Sequence, residues 1–414
     1  GGGGGGGGGG QARAGKIVAR GHDRREKNSR SGNNRRSVSH ADEGSSGETS
    51  MAPRFYMYTS PQLDHSWLRS CAAFRPLHEA MSEELNFAEI GLYDGLVAHP
   101  SRTADPSGAD LLYYVPIWEY TSSRVGSCRN TTHKQRMSMA AQELAASPHW
   151  RRSRDRHFFV SSAYSLFSTP ERLAKRLGPM HDVAGVVGRY KSKLPAQSRG
   201  APRSFAVPYP VHAVANRTSR ARAPRDVLAY FSGSLDVCCT GKRARCLLAD
   251  VPLEPDVVVN SVPRQAGSSG PCARRYEKRV QRTLQAAPEL RGNDDELMGR
   301  SVFCLAFAGD NCISQRFYNA LVNGCIPVVS CGVTGAFHGR IPYAAMTIRI
   351  HDRQNMTEIV RMLRGVNADA ARIGAMRRLM RAYAPLLRYD AAAPSEVLVE
   401  AYGAIAPGGG GVAR

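Results

Sequence analysis

The chain has 414 residues, enough for two or three domains with buried cores, which excludes a disulfide-stapled miniprotein. Hydrophobic residues at 42% and charged residues at 22% exclude wholesale disorder, and no run of about 18 apolar residues offers a membrane span. The 56 Lys and Arg against 35 Asp and Glu leave a net charge of +21, carried by 48 Arg and only 8 Lys.

Residues 1–52 open with ten glycines and continue in Gly, Ser, Arg and Asn, so a disordered leader or stem is expected there. The chain starts without Met, and a membrane contact is expected only through an N-terminal anchor missing from it. From Arg54 the texture becomes α/β. Short apolar runs predict strands at 55–58, 111–117, 157–161, 183–187, 205–207, 227–231, 257–259, 301–305, 326–330 and 346–350. Amphipathic stretches predict helices near 78–90, 132–147, 273–287, 314–323, 355–364 and 368–384. This alternation reads as parallel sheets with helices on both faces. The proline-rich stretch 193–224 interrupts it, so two Rossmann-like halves, 54–212 and 225–385, are expected to face each other across a cleft. The tail, 386–414, ends in a glycine run and reads as frayed from Ala393 onward.

The ten cysteines have no paired metal-ligand spacing, so no zinc module is expected. They fit either a lumenal chain with some disulfides or a cytosolic one with buried thiols. Sequons at Asn130, Asn216 and Asn355 favour the secretory route. Cys238, Cys239, Cys246 and Cys272 lie in a loop-rich insertion suited to one or two disulfides, whereas Cys304 and Cys325 read as core residues.

The most informative segment is 301–330, SVFCLAFAGDNCISQRFYNALVNGCIPVVS. A strand ends near Leu305, a polar loop containing Gly309 follows, Ser314 can cap a helix, and Gly324 ends that helix before the next strand. Amides at the helix start, with Arg316 in its first turn, suit a diphosphate. Arg316 and Asn319, three residues apart, share a face. On spacing alone, Ser314 as a simple cap and Arg316 as a solvated side chain explain the segment equally well.

The wording goes further. Ser301, Phe303, Cys304, Leu305, Gly309, Arg316, Ala320, Leu321, Gly324, Cys325, Ile326, Pro327 and Val328 resemble the exostosin-type glycosyltransferases, with their S-x-F-C-L-x-P-x-G and R-x-x-[ED]-A-[LI]-x-x-G-C-[IV]-P-V. Upstream, RFYMYTSP (54–61), RTADPSGADLLYYVPIW (102–118), WRRSRDRHFFV (150–160) and the strand ending at Gly233 are similar to further family landmarks in the same order.

The resemblance implies an inverting glycosyltransferase of GT-B type, using a nucleotide sugar, usually a UDP-sugar, as co-substrate and needing no other cofactor. The donor is expected on the C-terminal half and a glycan acceptor, in one version anionic, on the N-terminal half. Gly233, Lys242, Arg243, Gly309, Ser314, Arg316 and Asn319 are the candidate donor residues. Asp155 and His157 are the candidate catalytic pair, although a histidine opening an apolar strand is commonly structural. Asp94, Asp105 and Asp110 are alternative carboxylates, Asp105 also reading as a turn former. No D-x-D triplet occurs among the 18 Asp, so no metal clamp is expected. Asn319 stands where the family has an acid, and Arg156 where it has an Asp. A catalytically degenerate carbohydrate-binding member therefore stays open. A basic nucleic-acid-binding protein is the rival from another class: residues 149–245 carry 19 Lys and Arg against 5 Asp and Glu. They lack an aromatic-interleaved reading motif, and a diphosphate or anionic glycan uses the same charge. The expected compartment is the Golgi or secretory lumen.

Overall fold

The computed structural model describes residues 53–75, 88–108, 110–161, 182–185, 203–211, 224–237, 241–252, 254–261, 270–281, 294–309, 312–333, 335–351 and 353–405. The expected stem at 1–52, Asn216, Cys238 and Cys239 lie outside them. In the first half the elements are β1 (Phe55–Met57), α1 (Ala88–Val97), β2 (Arg102–Thr103), β3 (Leu112–Tyr114), α2 (Glu119–Val125), α3 (His133–Ala146), α4 (Pro148–Arg152), β4 (His157–Ser161), β5 (Asp182–Gly185) and β6 (Arg203–Ala206). In the second half they are β7 (Val227–Gly233), α5 (Lys242–Leu247), β8 (Val257–Ser261), α6 (Pro271–Gln281), α7 (Asp294–Arg300), β9 (Ser301–Leu305), α8 (Gln315–Val322), β10 (Ile326–Val329) and β11 (Ile348–Arg349). The helices α9 (Met356–Asn367), α10 (Ala370–Tyr383) and α11 (Ala393–Ile405) follow.

Two sheets result. The first runs β2-β1-β3-β4-β5-β6 and the second β11-β10-β9-β7-β8, with every pairing parallel. Each is doubly wound, a Rossmann-like arrangement in which the strand order reverses once, between β1 and β3 and between β7 and β9. Strands such as His157–Ser161 and Ser301–Leu305 are buried at every residue, as crossover helices on both faces require. Reciprocal capping boxes start α3, between Thr132 and Gln135, and α9, between Asn355 and Glu358. One apolar cluster runs through both sheets, from Phe55, Phe158 and Tyr402 to Phe231, Phe303 and Ile326.

The tail departs from expectation. Residues 393–405 form a docked helix rather than a frayed end: Tyr402 stacks on Phe158 at 4.6 Å, and a Cβ on Gly403 would come within 2.2 Å of Pro53. This helix from the end of the chain therefore packs on the first sheet. The helix expected near 78–90 begins its described part only at Ala88 and continues to Val97. All eight described cysteines are paired, as Cys71–Cys128, Cys246–Cys272, Cys304–Cys325 and Cys312–Cys331. Cys304 and Cys325 are core residues as expected, and they are bonded to each other.

Candidate functional site

Ligands of doubly wound sheets sit beyond the carboxyl ends of the strands, at the point where the strand order reverses. In the second sheet that point lies between β7, ending at Gly233, and β9, followed by the loop 306–309. Gly233 has φ +138°, a backbone that disfavours side chains, and a Cβ there would lie 2.6 Å from Arg316 Nη2. The glycine thus lets the Arg316 guanidinium lie against the main chain, where it also covers the Phe231 ring at 5.0 Å. Sequence reasoning named Gly233 and Arg316 separately, and the fold brings them into contact.

Arg245, which sequence reasoning missed, covers the same ring at 5.7 Å. It is buried, and its guanidinium donates to the carbonyls of Ala308 (2.9 Å), Ser234 (3.0 Å) and Phe307 (3.4 Å). It therefore fixes the loop after β9 to the loop after β7. The signal was its place three and four residues before the buried Leu248 and Ala249, on the inward stripe of its helix. Lys242 and Arg243, the expected diphosphate cations, are exposed on the first turn of α5. That turn reaches the site through its backbone: Gly241 N donates to Gly309 O at 2.8 Å, and a Cβ on Gly309 would lie 2.9 Å from Arg245 Nη2.

Ser314 takes the N-cap position of α8 in extended conformation, but its side chain makes no capping bond. The positive end of the α8 dipole lies at this first turn, where Phe317 N donates to the Ser314 carbonyl at 3.0 Å and Arg316 is carried alongside. Asn319 follows on that helix with its Oδ1 buried and without a hydrogen-bond partner. This orphaned acceptor stands where the resemblance puts an acid, and it suits a ligand hydroxyl.

The structure places Asp155 and His157, the expected catalytic pair, at the start of β4. Both precede or open β4, at the amino edge of the first sheet, opposite the ligand-binding edge. His157 is 1% exposed, with Nδ1 donating to Ser153 O (2.8 Å) and Nε2 accepting from Tyr58 OH (2.9 Å). Tyr113 stacks on it at 4.6 Å and Trp150 meets it edge-on at 4.8 Å. Burial pushes its pKa down to about 3, so it is a neutral structural residue. Asp155 is half-buried on the turn before it. Of the other expected carboxylates, Asp94 pairs with Arg69 at 2.7 Å, Asp105 caps its own turn through Ser107, and Asp110 is 95% exposed.

The carboxyl edge of the first sheet carries acids that sequence reasoning passed over. Glu119 follows β3, is buried, accepts from Ser161 Oγ at the end of β4 (3.1 Å), and lies 3.8 Å from His133 Nε2. Behind it, the fully buried Glu89 accepts from the amides of Tyr120 and Thr121 (both 2.9 Å) and from Thr121 Oγ1 (2.8 Å). Glu89 thereby caps α2 from another helix, where Trp118, at φ +40°, gives no side-chain cap. Burial, with the Glu119 charge second, lifts the Glu89 carboxyl to about 7. After β1, Asp64 accepts from Ser66 N (2.9 Å) and Tyr93 OH (3.1 Å).

Two doubly wound parallel sheets define an α/β protein in the GT-B arrangement, with two arginines and a helix start gathered at one switch point. The chain belongs to the exostosin GT47 domain family, which it matches over residues 51–366. It is similar to a probable glucuronosyltransferase of rice, Oryza sativa subsp. japonica, with 24% identity over 296 residues, 67% of this chain and 61% of the relative. The probable glucuronosyltransferase GUT1 of the same subspecies is 25% identical over 276 residues, 63% of this chain and 60% of the relative. The chain thus spans about three fifths of these curated relatives. Among solved structures, AviGT4, a glycosyltransferase involved in avilamycin A biosynthesis, aligns with 76% of this chain and 88% of its own at 13% identity, with a TM-score of 0.35. That superposition is loose, and membership rests on the family match.

Proposed function

We propose that this chain is a glycosyltransferase that takes a sugar from a nucleoside diphosphate donor, a UDP-sugar, and transfers it with inversion to a glycan. The observation that carries this reading is the Arg316 guanidinium laid on Gly233 at the β7/β9 switch point, beside the start of α8. As the anomeric bond breaks, negative charge grows on the departing diphosphate. Arg316, the α8 amides and the dipole behind them stabilise that charge, so this reading requires no metal. Arg245 holds the two loops in place, and Asn319 Oδ1 accepts from a nucleoside hydroxyl. Inversion also needs a base for the acceptor hydroxyl. With Asp155 and His157 on the opposite edge, the base is assigned to the carboxyl edge of the first sheet, to Glu119 or Asp64.

An anionic glycan suits the acceptor side. Arg129, exposed, covers the partly exposed Trp67 ring at 5.1 Å, an aromatic and cationic spot suited to a sugar carboxylate. The pairing of all eight described cysteines supports an oxidising compartment, the secretory or Golgi lumen. Because the curated relatives are named probable glucuronosyltransferases, UDP-glucuronate heads the donors to test. The experiment is a panel of UDP-sugars offered to the full chain with glycan acceptors. UDP-sugar turnover is expected, and Glu119→Gln and Asp64→Asn each tested for loss of kcat identify the base. UDP binding without turnover would favour a degenerate member, and salt-sensitive nucleic-acid binding without competition by UDP would favour the rival class.

A further inference from the structure

Helix α8 has two working faces. On one, Arg316 lies against Gly233 at the donor site described above. On the other, Gln315 Nε2 donates to the Pro210 carbonyl at 3.1 Å, and the Tyr318 ring lies 5.9 Å from that of Tyr209. Residues 207–211 leave β6, the last strand of the first sheet, so this contact joins the donor helix to the chain emerging from the acceptor half.

That segment is gripped at alternate residues. The Ala206 carbonyl accepts from Phe337 N at 2.9 Å, the Pro208 carbonyl from Tyr389 OH, and the Pro210 carbonyl from Gln315. Carbonyls two apart on an extended chain point the same way. Pro208 and Pro210 have no N–H to pair elsewhere. Val207 and Tyr209 are buried in the apolar cluster shared by both sheets. The result is a strap whose middle is pinned by the second half and whose last hold is the residue directly before Arg316.

We propose that Gln315 is a positioning residue that couples occupancy of the donor site to the seating of the strap, and through it to the acceptor half. The proposal rests on the donor site assigned above. A diphosphate that fixes Arg316 also fixes the first turn of α8, and with it the Gln315 amide on Pro210. Coupling of this kind is reciprocal, so strain on the strap also loosens the donor. Gln315 itself touches no reacting atom in this scheme.

Amide hydrogen exchange on the full chain, with and without UDP, tests it. In the wild type, UDP slows exchange along residues 315–322 and also at Tyr209 and Val211. In Gln315→Met, which keeps side-chain length and loses the donor, UDP still protects 315–322 but no longer Tyr209 and Val211. In titration calorimetry this variant binds UDP several-fold more weakly than the wild type, the reciprocal loss that the coupling requires. UDP protection confined to 315–322 in the wild type, or persisting at Tyr209 and Val211 in Gln315→Met, would overturn the coupling while leaving the donor site standing. No UDP protection anywhere would remove both.

Discussion

Replacing His157 with phenylalanine keeps a flat ring between Tyr113 and Trp150 and removes a titrating group from the interior. In the folded chain this histidine sits well below its ordinary value, at about 3 against 6.5. The sign follows directly: between those values the unfolded chain binds a proton that the folded chain refuses. The wild type is therefore fully stabilised above about pH 6.5 and loses that contribution as pH falls towards 3, at no more than about 1.4 kcal/mol per pH unit. From pH 6 to 4 the loss from this residue is about 2–3 kcal/mol. His65, lowered to about 4 by burial, adds to the same slope, and Glu89 opposes it, but both are shared by wild type and variant and cancel in the difference. His157→Phe also gives up the bonds to Ser153 and Tyr58, while Tyr58 keeps Ser147 at 3.0 Å, so a pH-independent cost of about 1–3 kcal/mol is expected. Urea unfolding at half-unit steps from pH 4 to 7 reads both quantities. The variant should be less stable at pH 7, and the gap should close as the solution is acidified. Parallel stability curves would refute the neutral, buried assignment. So would a folded variant whose turnover had collapsed, because a structural histidine cannot do that.

Other consequences follow from the same geometry. Gly233→Ala places a Cβ 2.6 Å from Arg316 at a positive φ, and it should cost about 1–3 kcal/mol and displace the guanidinium, weakening UDP binding in calorimetry; retained affinity would show that the contact is incidental. Glu89→Gln cannot ionise, so it should be spared the loss that the wild type suffers as pH rises from 4.5 through about 7; thermal melts that run parallel over that range would contradict the raised carboxyl. Asn130, exposed in a turn at φ +58° beside the Cys71–Cys128 bond, should carry a glycan when the chain is expressed through a eukaryotic secretory route. Mass spectrometry finding Asn130 bare would count against the lumenal compartment.

The sheets were legible because most of their strands are short apolar runs, buried on both faces, whose pattern survives without knowing neighbours. The small elements were not. α2 and α4, seven and five residues long, are too brief to show a period. α11 presents Val397, Leu398 and Val399 as three consecutive buried residues, since packing surrounds it on more than one side, so no amphipathic stripe marks it. At the site, Arg316 and Gly233 could be named from their segments, but their contact spans 83 positions in the chain. His157 was a candidate through the resemblance alone, and only strand direction, which the sequence does not show, places it at the amino edge of β4. Glu89 was invisible for a similar reason: what it caps lies 31 and 32 residues away.

The central claim is the donor site at the β7/β9 switch point, and calorimetric titration of UDP into the wild type and Arg316→Ala tests it most directly. One binding site is predicted, weakened by about 1.5–3 kcal/mol when the charged hydrogen bond is lost, a factor of roughly 10 to 150. An identical affinity in the two proteins, or no binding to the wild type, would contradict it.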